Sequence, residues 1–573
     1  MVASLSHQNI LSRGITASSR VLSANVVDIL SRKIRACEIR IADSTIESIT
    51  PLGESIDEAL PFAIPGFIDA HIHVESSMLT PSEFARMACV HGTVATVSDP
   101  HEIANVLGIE GIEFMLESAA TVPLKFCFGA PSCVPATAFE TSGASIDASA
   151  IAELLARSDI GYLAEMMNYP GVLFGDADVL AKIASARKLG KRIDGHAPGL
   201  VGDHAKEYAE AGISTDHECT SFEEAIHKLE CGMKILIREG SAAKNYEALK
   251  SLIDFHPEDV MLCSDDKHPD ELADGHINAI VKRAINDGLD LFNVLRVACL
   301  NPIDHYSLPV GKLRAGDPAD FVLVNDLVEF EVRQTFIDGK CVAETGEANF
   351  ASVNKRVVNR FQCDAKQAAD FRVHAQSAQP RSTVRVIEAF DGKLITGEQR
   401  AELSSDDQGL RCDLGRDVLK FVVVNRYRNQ LPAIAFIHGF GLKRGAIASS
   451  VGHDSHNILA VGVDDESICT AVNEVIAHRG GIVAVDGEVA EVLPLPIAGI
   501  MSDQDGYEVA DQYRHVDDFA KRMLGSTLSA PFMTLSFMAL LVIPKLKLSD
   551  LGLFDGERFQ FVALECPPGE DDI

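Results

Sequence analysis

The sequence predicts an α/β chain built around a (β/α)₈ barrel, with β-rich flanks and a further α/β or α+β domain at the C-terminal end. Three observations lead there. Eight short apolar runs alternate with helical stretches over about 250 residues, the usual extent of such a barrel. Turn-rich, strand-like sequence brackets that region on both sides. Beyond residue 380, strands and helices alternate afresh, with no repeat linking this part to the barrel.

Residues 1–20 are polar and read as an N-terminal extension. Within 21–64, NVVDILSRKIRACEIRIADSTIESITPL alternates and turns as short antiparallel strands do. The same texture returns at 312–350, where Gly316, Asp317 and Pro318 mark a turn ahead of the strand-like FVLV and EFEV. Between these flanks, over 65–311, come FIDAHIHV, TVATVSD, LKFCFGA, GYLAEMM, RIDGHAP, ISTDHE, KILIREG and VMLCSDD. Segments such as DADVLAKIASARKLG between them suit helices. A mixed polar stretch, 351–379, reads as a linker to the C-terminal domain, 380–573.

Composition narrows the function classes. A net charge of −32 repels phosphate backbones and argues against nucleic-acid polymers as partners, while leaving small neutral substrates open. The 13 cysteines are odd in number and form no CxxC pair, which reads as reduced thiols in a cytoplasmic protein. MVASLSHQNILSRG has no long apolar core, so no signal peptide is expected, and no run of 18 apolar residues predicts a membrane span. A homo-oligomer stays open.

The stretch that carries chemistry is PGFIDAHIHVESS. Residues i and i+2 of a strand share a side, so His71 and His73 face together at the C-terminal end of the first barrel strand, where such barrels place functional groups. Two imidazoles there make a natural chelate. Other strand ends carry further ligand types: Glu165 after GYLA, His196 after RIDG, His217 after ISTD and Asp265 after VMLCS. Taken singly, Glu165 can be an interior ion-pair partner, His217 a core histidine, and Asp265 or Asp266 a helix N-cap. Five coincidences at strand ends favour a metal centre.

HxH on the first strand, a carboxylate on the fourth, His on the fifth and sixth and Asp on the eighth resemble the amidohydrolase superfamily. PGFIDAHIHVESSMLTPSEFAR, DPHEIANVLG, GHAPGL, TDHECTSFEEA, REGSAAKN, SDDKHPDEL, IHGFGLKRGAIASSVGHDSHNI and PLPIAGIMSD resemble its adenine deaminase family, over essentially all the chain after residue 20. The resemblance implies a barrel, a composite β-sandwich from the two flanks and an additional C-terminal domain. It implies hydrolytic deamination of adenine to hypoxanthine and ammonia by a metal-bound hydroxide attacking C6. It implies two divalent ions, one held by His71, His73 and Asp265, the other by His196 and His217, with Glu165 bridging. The mixture of imidazole and carboxylate donors suits Mn²⁺, Fe²⁺ or Zn²⁺, and the resemblance favours Mn²⁺ or Fe²⁺. Asp265 is the candidate general base, and Glu218, Glu239 and Asp265 are candidates for the general acid.

Neighbouring motifs keep two readings each. Asp99 and His101, in DPHE, are a further metal or outer-sphere site, or Asp99 caps a helix that Pro100 begins. Arg238 and Ser241, in REGS, offer polar atoms to a purine edge or form a surface turn. His453 and His456 are a metal pair if helical, or part of a polar loop or substrate lid. HGFGLKRG lacks phosphate-loop spacing. The chain has no Trp, so Phe, Tyr or His must stack on any purine. The rival enzyme is a cyclic amide hydrolase of dihydroorotase or hydantoinase type, which Glu165 in place of lysine argues against. The small zinc deaminases require a P-C-x-x-C that is absent from the sequence. A non-catalytic metal-binding protein would leave the complete ligand set unused.

Overall fold

The computed structural model describes residues 19–241, 243–374, 380–407 and 409–566. Most of the expected N-terminal extension lies outside them. Strands β1 (Ser19–Asp28), β2 (Lys33–Ala42) and β3 (Thr45–Pro51) form an antiparallel meander, with Ser19 opposite Ala42 and Asp28 opposite Lys33. β4 (Phe62–Pro65) runs parallel to β1 and leads straight into the barrel. Gly66 makes that entry feasible, because a Cβ there would stand 2.3 Å from Val94 Cγ1.

The eight apolar runs become eight parallel strands. β5 (Phe67–Ile72), β6 (Thr93–Ser98), β7 (Lys125–Ala130), β8 (Ile160–Met166) and β9 (Ile193–Gly195) pair in sequence order. β10 (Thr215–Asp216), β11 (Lys234–Arg238) and β12 (Val260–Cys263) pair likewise. Backbone hydrogen bonds join the two sets, from Ser214 N to Ile193 O at 2.8 Å and from Asp265 N to His71 O at 2.9 Å. The sheet therefore curls round into a barrel. β5 and β6 are buried along their whole length, as strands covered on both faces must be, which is why they read as continuous apolar runs.

The chain then returns to its first sheet. β13 (Phe321–Val324) lies antiparallel to β4, with Phe321 opposite Pro65, and β14 (Val332–Ile337), β15 (Lys340–Glu344) and β16 (Glu347–Ala348) extend it. The result is one eight-stranded sheet in the order β16-β15-β14-β13-β4-β1-β2-β3, to which both flanks contribute. Stacked Phe321 and Phe336, 4.6 Å between ring centroids, centre its core with Ile39 and Ile41.

Residues 351–367 carry no regular structure, and a short 3₁₀ turn follows at Ala368–Phe371. Beyond lies a nine-stranded, mainly antiparallel sheet of β17 (Arg381–Ala389), β18 (Thr396–Asp406), β19 (Gly409–Leu410), β20 (Val418–Val424), β21 (Ala433–His438), β22 (Ala446–Ser449), β23 (Ile458–Gly462), β24 (Gly481–Asp486) and β25 (Val489–Pro494). The helix Asp465–Ala477, N-capped by Asp464, packs Ile468, Val472 and Val475 on it. A continuous apolar core runs from Ile68, Val94 and Ile103 of the barrel to Ile482, Phe532 and Leu540 of this C-terminal part. Among the described residues no helix is long and apolar enough to cross a membrane.

Candidate metal centre

β5 delivers His71, and His73 follows just past its end at the start of a 3₁₀ turn, Val74–Ser77. Their ring centroids are 4.9 Å apart. Around them the barrel brings Glu165 from β8, His196 just after β9, His217 just after β10 and Asp265 just after β12. All six are at most 7% exposed. Asp265 Oδ1 lies 3.6 Å from His71 Nε2 and 3.3 Å from His73 Nε2. Glu165 sits between the groups: Oε1 is 3.6 Å from His73 Nε2, and Oε2 is 2.8 Å from His196 Nδ1 and 3.2 Å from His217 Nε2. Donors sharing one ion at about 2.0–2.2 Å stand roughly 3 Å apart, so these spacings fit divalent cations. Both ring nitrogens of His71 are buried with no hydrogen-bond partner, which a metal ligand would explain.

Tautomers and charges are arranged to match. His73 Nδ1 lies 3.1 Å from the Asp99 carbonyl and can donate to it, turning the Nε2 lone pair toward Asp265 and Glu165. Burial, with His217 and His73 nearby, pushes His71 well below the ordinary imidazole range, so it stays neutral. Burial alone would raise the Glu165 carboxyl, but His196 and His217 hold it well below the usual carboxylate range. Burial works the same way on Asp265, where the Arg238 guanidinium and His73 win and keep it ionised. Asp265 also has φ +54°, a left-handed backbone that Asp tolerates better than most residues. Beneath the cluster Asp69 ties β5 to the end of β12, accepting from Ser264 N at 3.0 Å, Ser264 Oγ at 2.5 Å and His276 Nε2 at 2.8 Å.

The remaining expected residues divide. Arg238 lines the cavity, donating to Glu218 Oε1 at 2.5 Å, to Glu218 Oε2 at 2.8 Å and to Asp265 Oδ2. Glu218 Oε1 lies 3.6 Å from His196 Nδ1 and 3.5 Å from His217 Nε2. Glu239 does not reach the cluster. Successive strand residues face opposite sides, so with Arg238 turned inward Glu239 turns out and pairs with Arg283 at 2.8 Å. Ser241 is absent from the cavity lining too: its Oγ donates to Glu271 at 3.1 Å and accepts from His268 N at 2.9 Å, bracing its own loop. Asp99 caps no helix, since the helix His101–Leu107 has no side-chain cap; its Oδ2 lies 3.1 Å from His101 Nδ1. His453 and His456 lie in a turn region between β22 and β23, outside any helix.

The cavity is walled by residues the motifs did not single out. Asp266 joins from the barrel, hydrogen-bonded to Ser76 Oγ at 2.5 Å. Leu394, Phe537, Leu540 and Ile543 come from the C-terminal domain and make an apolar face opposite the polar cluster. Phe537 stacks on His453, 4.5 Å between centroids and 9° between planes.

Sequence comparison agrees with this geometry. Residues 62–342 match the Amidohydrolase family and residues 393–560 match the Adenine deaminase C-terminal domain. An adenine deaminase of Sulfurovum sp. is 55% identical over 94% of this chain and 99% of its own length. One from Methanosarcina barkeri is 50% identical over 94% and 98%, and one from Borreliella burgdorferi 46% over 94% and 99%. With such identity along nearly the entire length, the chain belongs to the adenine deaminase family of amidohydrolases.

Proposed function

We propose that the protein hydrolyses adenine to hypoxanthine and ammonia in the cytoplasm, using two divalent cations at the barrel mouth. His71, His73 and Asp265 would hold one, His196 and His217 the other, with the Glu165 carboxylate shared between them. The observation that carries this is the convergence of six buried donors from five strand ends in a chain so close to adenine deaminases. Cations held there supply an ionised water at neutral pH by lowering its pKa toward ~7. Imidazole and carboxylate donors without thiolate suit Mn²⁺ or Fe²⁺, with Zn²⁺ the alternative. The eight-stranded sheet corresponds in this reading to the composite β-sandwich of the superfamily.

The chain's own residues supply the rest. Asp265, ionised and beside both HxH rings, accepts the proton that the water loses as its oxygen joins C6 of the purine. Glu218 is the candidate donor to the ring nitrogen next to C6, and the Arg238 guanidinium aligns both carboxylates. The C6–N bond then breaks as Asp265 passes its proton to the amino nitrogen, which leaves as ammonia, while the new hydroxyl on C6 becomes the carbonyl and returns its proton to Glu218. Leu394, Phe537, Leu540 and Ile543 offer the flat base an apolar surface and keep bulk water off the polar cluster.

Glu165→Gln tests the reading, because an amide cannot bridge two cations as a carboxylate does. Expected are loss of adenine turnover and of bound metal, read by ammonia release and elemental analysis after Mn²⁺ loading. Wild-type turnover in that variant would sink the bridging role, and ring opening of hydantoin in place of ammonia release from adenine would favour the cyclic amide hydrolase.

A further inference from the structure

A second set of donors lies at the seam between the barrel and the C-terminal domain, on the far side of His101 from Glu165. His101 and Glu102 begin the helix His101–Leu107, and His453, Asp454 and His456 face them from the region between β22 and β23. All five are at most 3% exposed. His101 Nδ1 lies on Asp99 Oδ2 at 3.1 Å. With that nitrogen donating, the Nε2 lone pair points to Glu102 Oε1 at 3.4 Å and Asp454 Oδ1 at 3.8 Å. His453 Nδ1 meets the same Glu102 oxygen. His456 differs: its Nδ1 accepts the Gly452 N–H at 3.2 Å, so its proton sits on Nε2 and is donated to Glu102 Oε2. Asp454 Oδ2 is buried with no partner at all.

One buried acceptor leaves this arrangement incomplete as it stands. Glu102 and Asp454 are two carboxylates withdrawn from water. His456, accepting through Nδ1, has only its Nε2 proton to give, and Glu102 takes it. Asp454 Oδ2 is left without a donor, a costly state for a buried carboxylate oxygen. A divalent cation would give that carboxylate, and the nitrogen and oxygen donors facing it, a common partner.

We propose that a third divalent cation, of the Mn²⁺, Fe²⁺ or Zn²⁺ class, binds at this seam through His101 Nε2, Glu102, His453 Nδ1 and Asp454. Asp99 and His456 act on the ligands and not on the ion: Asp99 fixes the His101 tautomer, and His456 orients the Glu102 carboxylate. Two ligands come from the barrel and two from the C-terminal domain, so the ion fastens one to the other beside the Phe537 wall. The site shares no ligand with the two-cation centre and stands or falls separately from it.

The test uses the full-length protein loaded with Mn²⁺ alone. Elemental analysis is expected to give three ions per chain, and anomalous diffraction at the Mn edge a third peak between His101 and His453. Asp454→Asn is expected to bring the count from three to two, sparing the pair around Glu165. Glu165→Gln is expected to retain the seam peak, which separates this claim from the deaminase reading. Should Asp454→Asn fail to fold, the wild-type anomalous map decides. Two filled positions with no peak at the seam, an Asp454→Asn protein that still binds three ions, or a purine edge occupying the gap in adenine-soaked crystals would each overturn the proposal.

Discussion

Arg238 shows how much a single side chain settles here. Its guanidinium is buried between Glu218 and Asp265, so removing it leaves two carboxylates facing each other without a counter-charge. Breaking a buried pair in this way typically costs about 3–5 kcal/mol. Arg238→Gln should lower kcat on adenine at least 100-fold and lower the thermal midpoint, with steady-state kinetics and calorimetry as the checks. Lys547 offers a pH signature. It is fully buried, donating to Leu394 O at 2.8 Å and Phe537 O at 2.9 Å, and burial pulls its pKa from 10.5 to about 7. Between pH 7 and 10.5 the unfolded chain holds that proton and the native chain does not. Native stability should therefore rise with pH across this window, by up to about 1 kcal/mol per pH unit. Thermal melts from pH 7 to 9 should show the wild type gaining on Lys547→Met; parallel curves would remove the effect. The meeting of six ligand-type side chains was legible because each lies at or just beyond a strand end. Glu239 stands apart from that cluster because strand parity sends Arg238 in and its neighbour out to Arg283.

At the scale of elements, the barrel strands were legible where two-sided burial writes a parallel strand as a largely apolar run, as in β6, β8 and β12. The wall of the cavity was not. PFMTLSFMALLVI, which contains Phe537, Leu540 and Ile543, has the composition of any core segment, and nothing in it tells a face lining a cavity from one packed on a helix. HDSH likewise has helical spacing but lies outside any helix, and its partner Glu102 is 351 positions away from His453 in the chain. The wall carries a prediction of its own. Burying a Phe side chain is worth about 1.5–3 kcal/mol, so Phe537→Ala should raise KM for adenine by roughly 10–100-fold, with a smaller effect on kcat. An unchanged KM would place the purine elsewhere.

For the whole molecule, the cluster gathers side chains from β5, β8 and the loops after β9, β10 and β12, so ions bound there lace the barrel shut. Ligands that bind only the native state add stability in proportion to the logarithm of their free concentration over Kd. Chelation should lower the calorimetric midpoint by several degrees and Mn²⁺ should restore it; equal midpoints would mean that the barrel holds its shape unaided. Glu83 joins the two halves elsewhere, accepting from Arg86 at 2.7 Å and from Gly506 N at 3.2 Å, while Arg86 also reaches Asp505 at 2.6 Å. Long-range joints of this kind depend on which surfaces meet, which local pattern in a sequence does not encode.

The apolar wall has a temporal side. A ribosome releases every donor of the cluster by Asp265, yet Phe537, Leu540 and Ile543 emerge more than 250 residues later. A polypeptide grown only as far as the barrel thus holds a water-flooded basin without its roof.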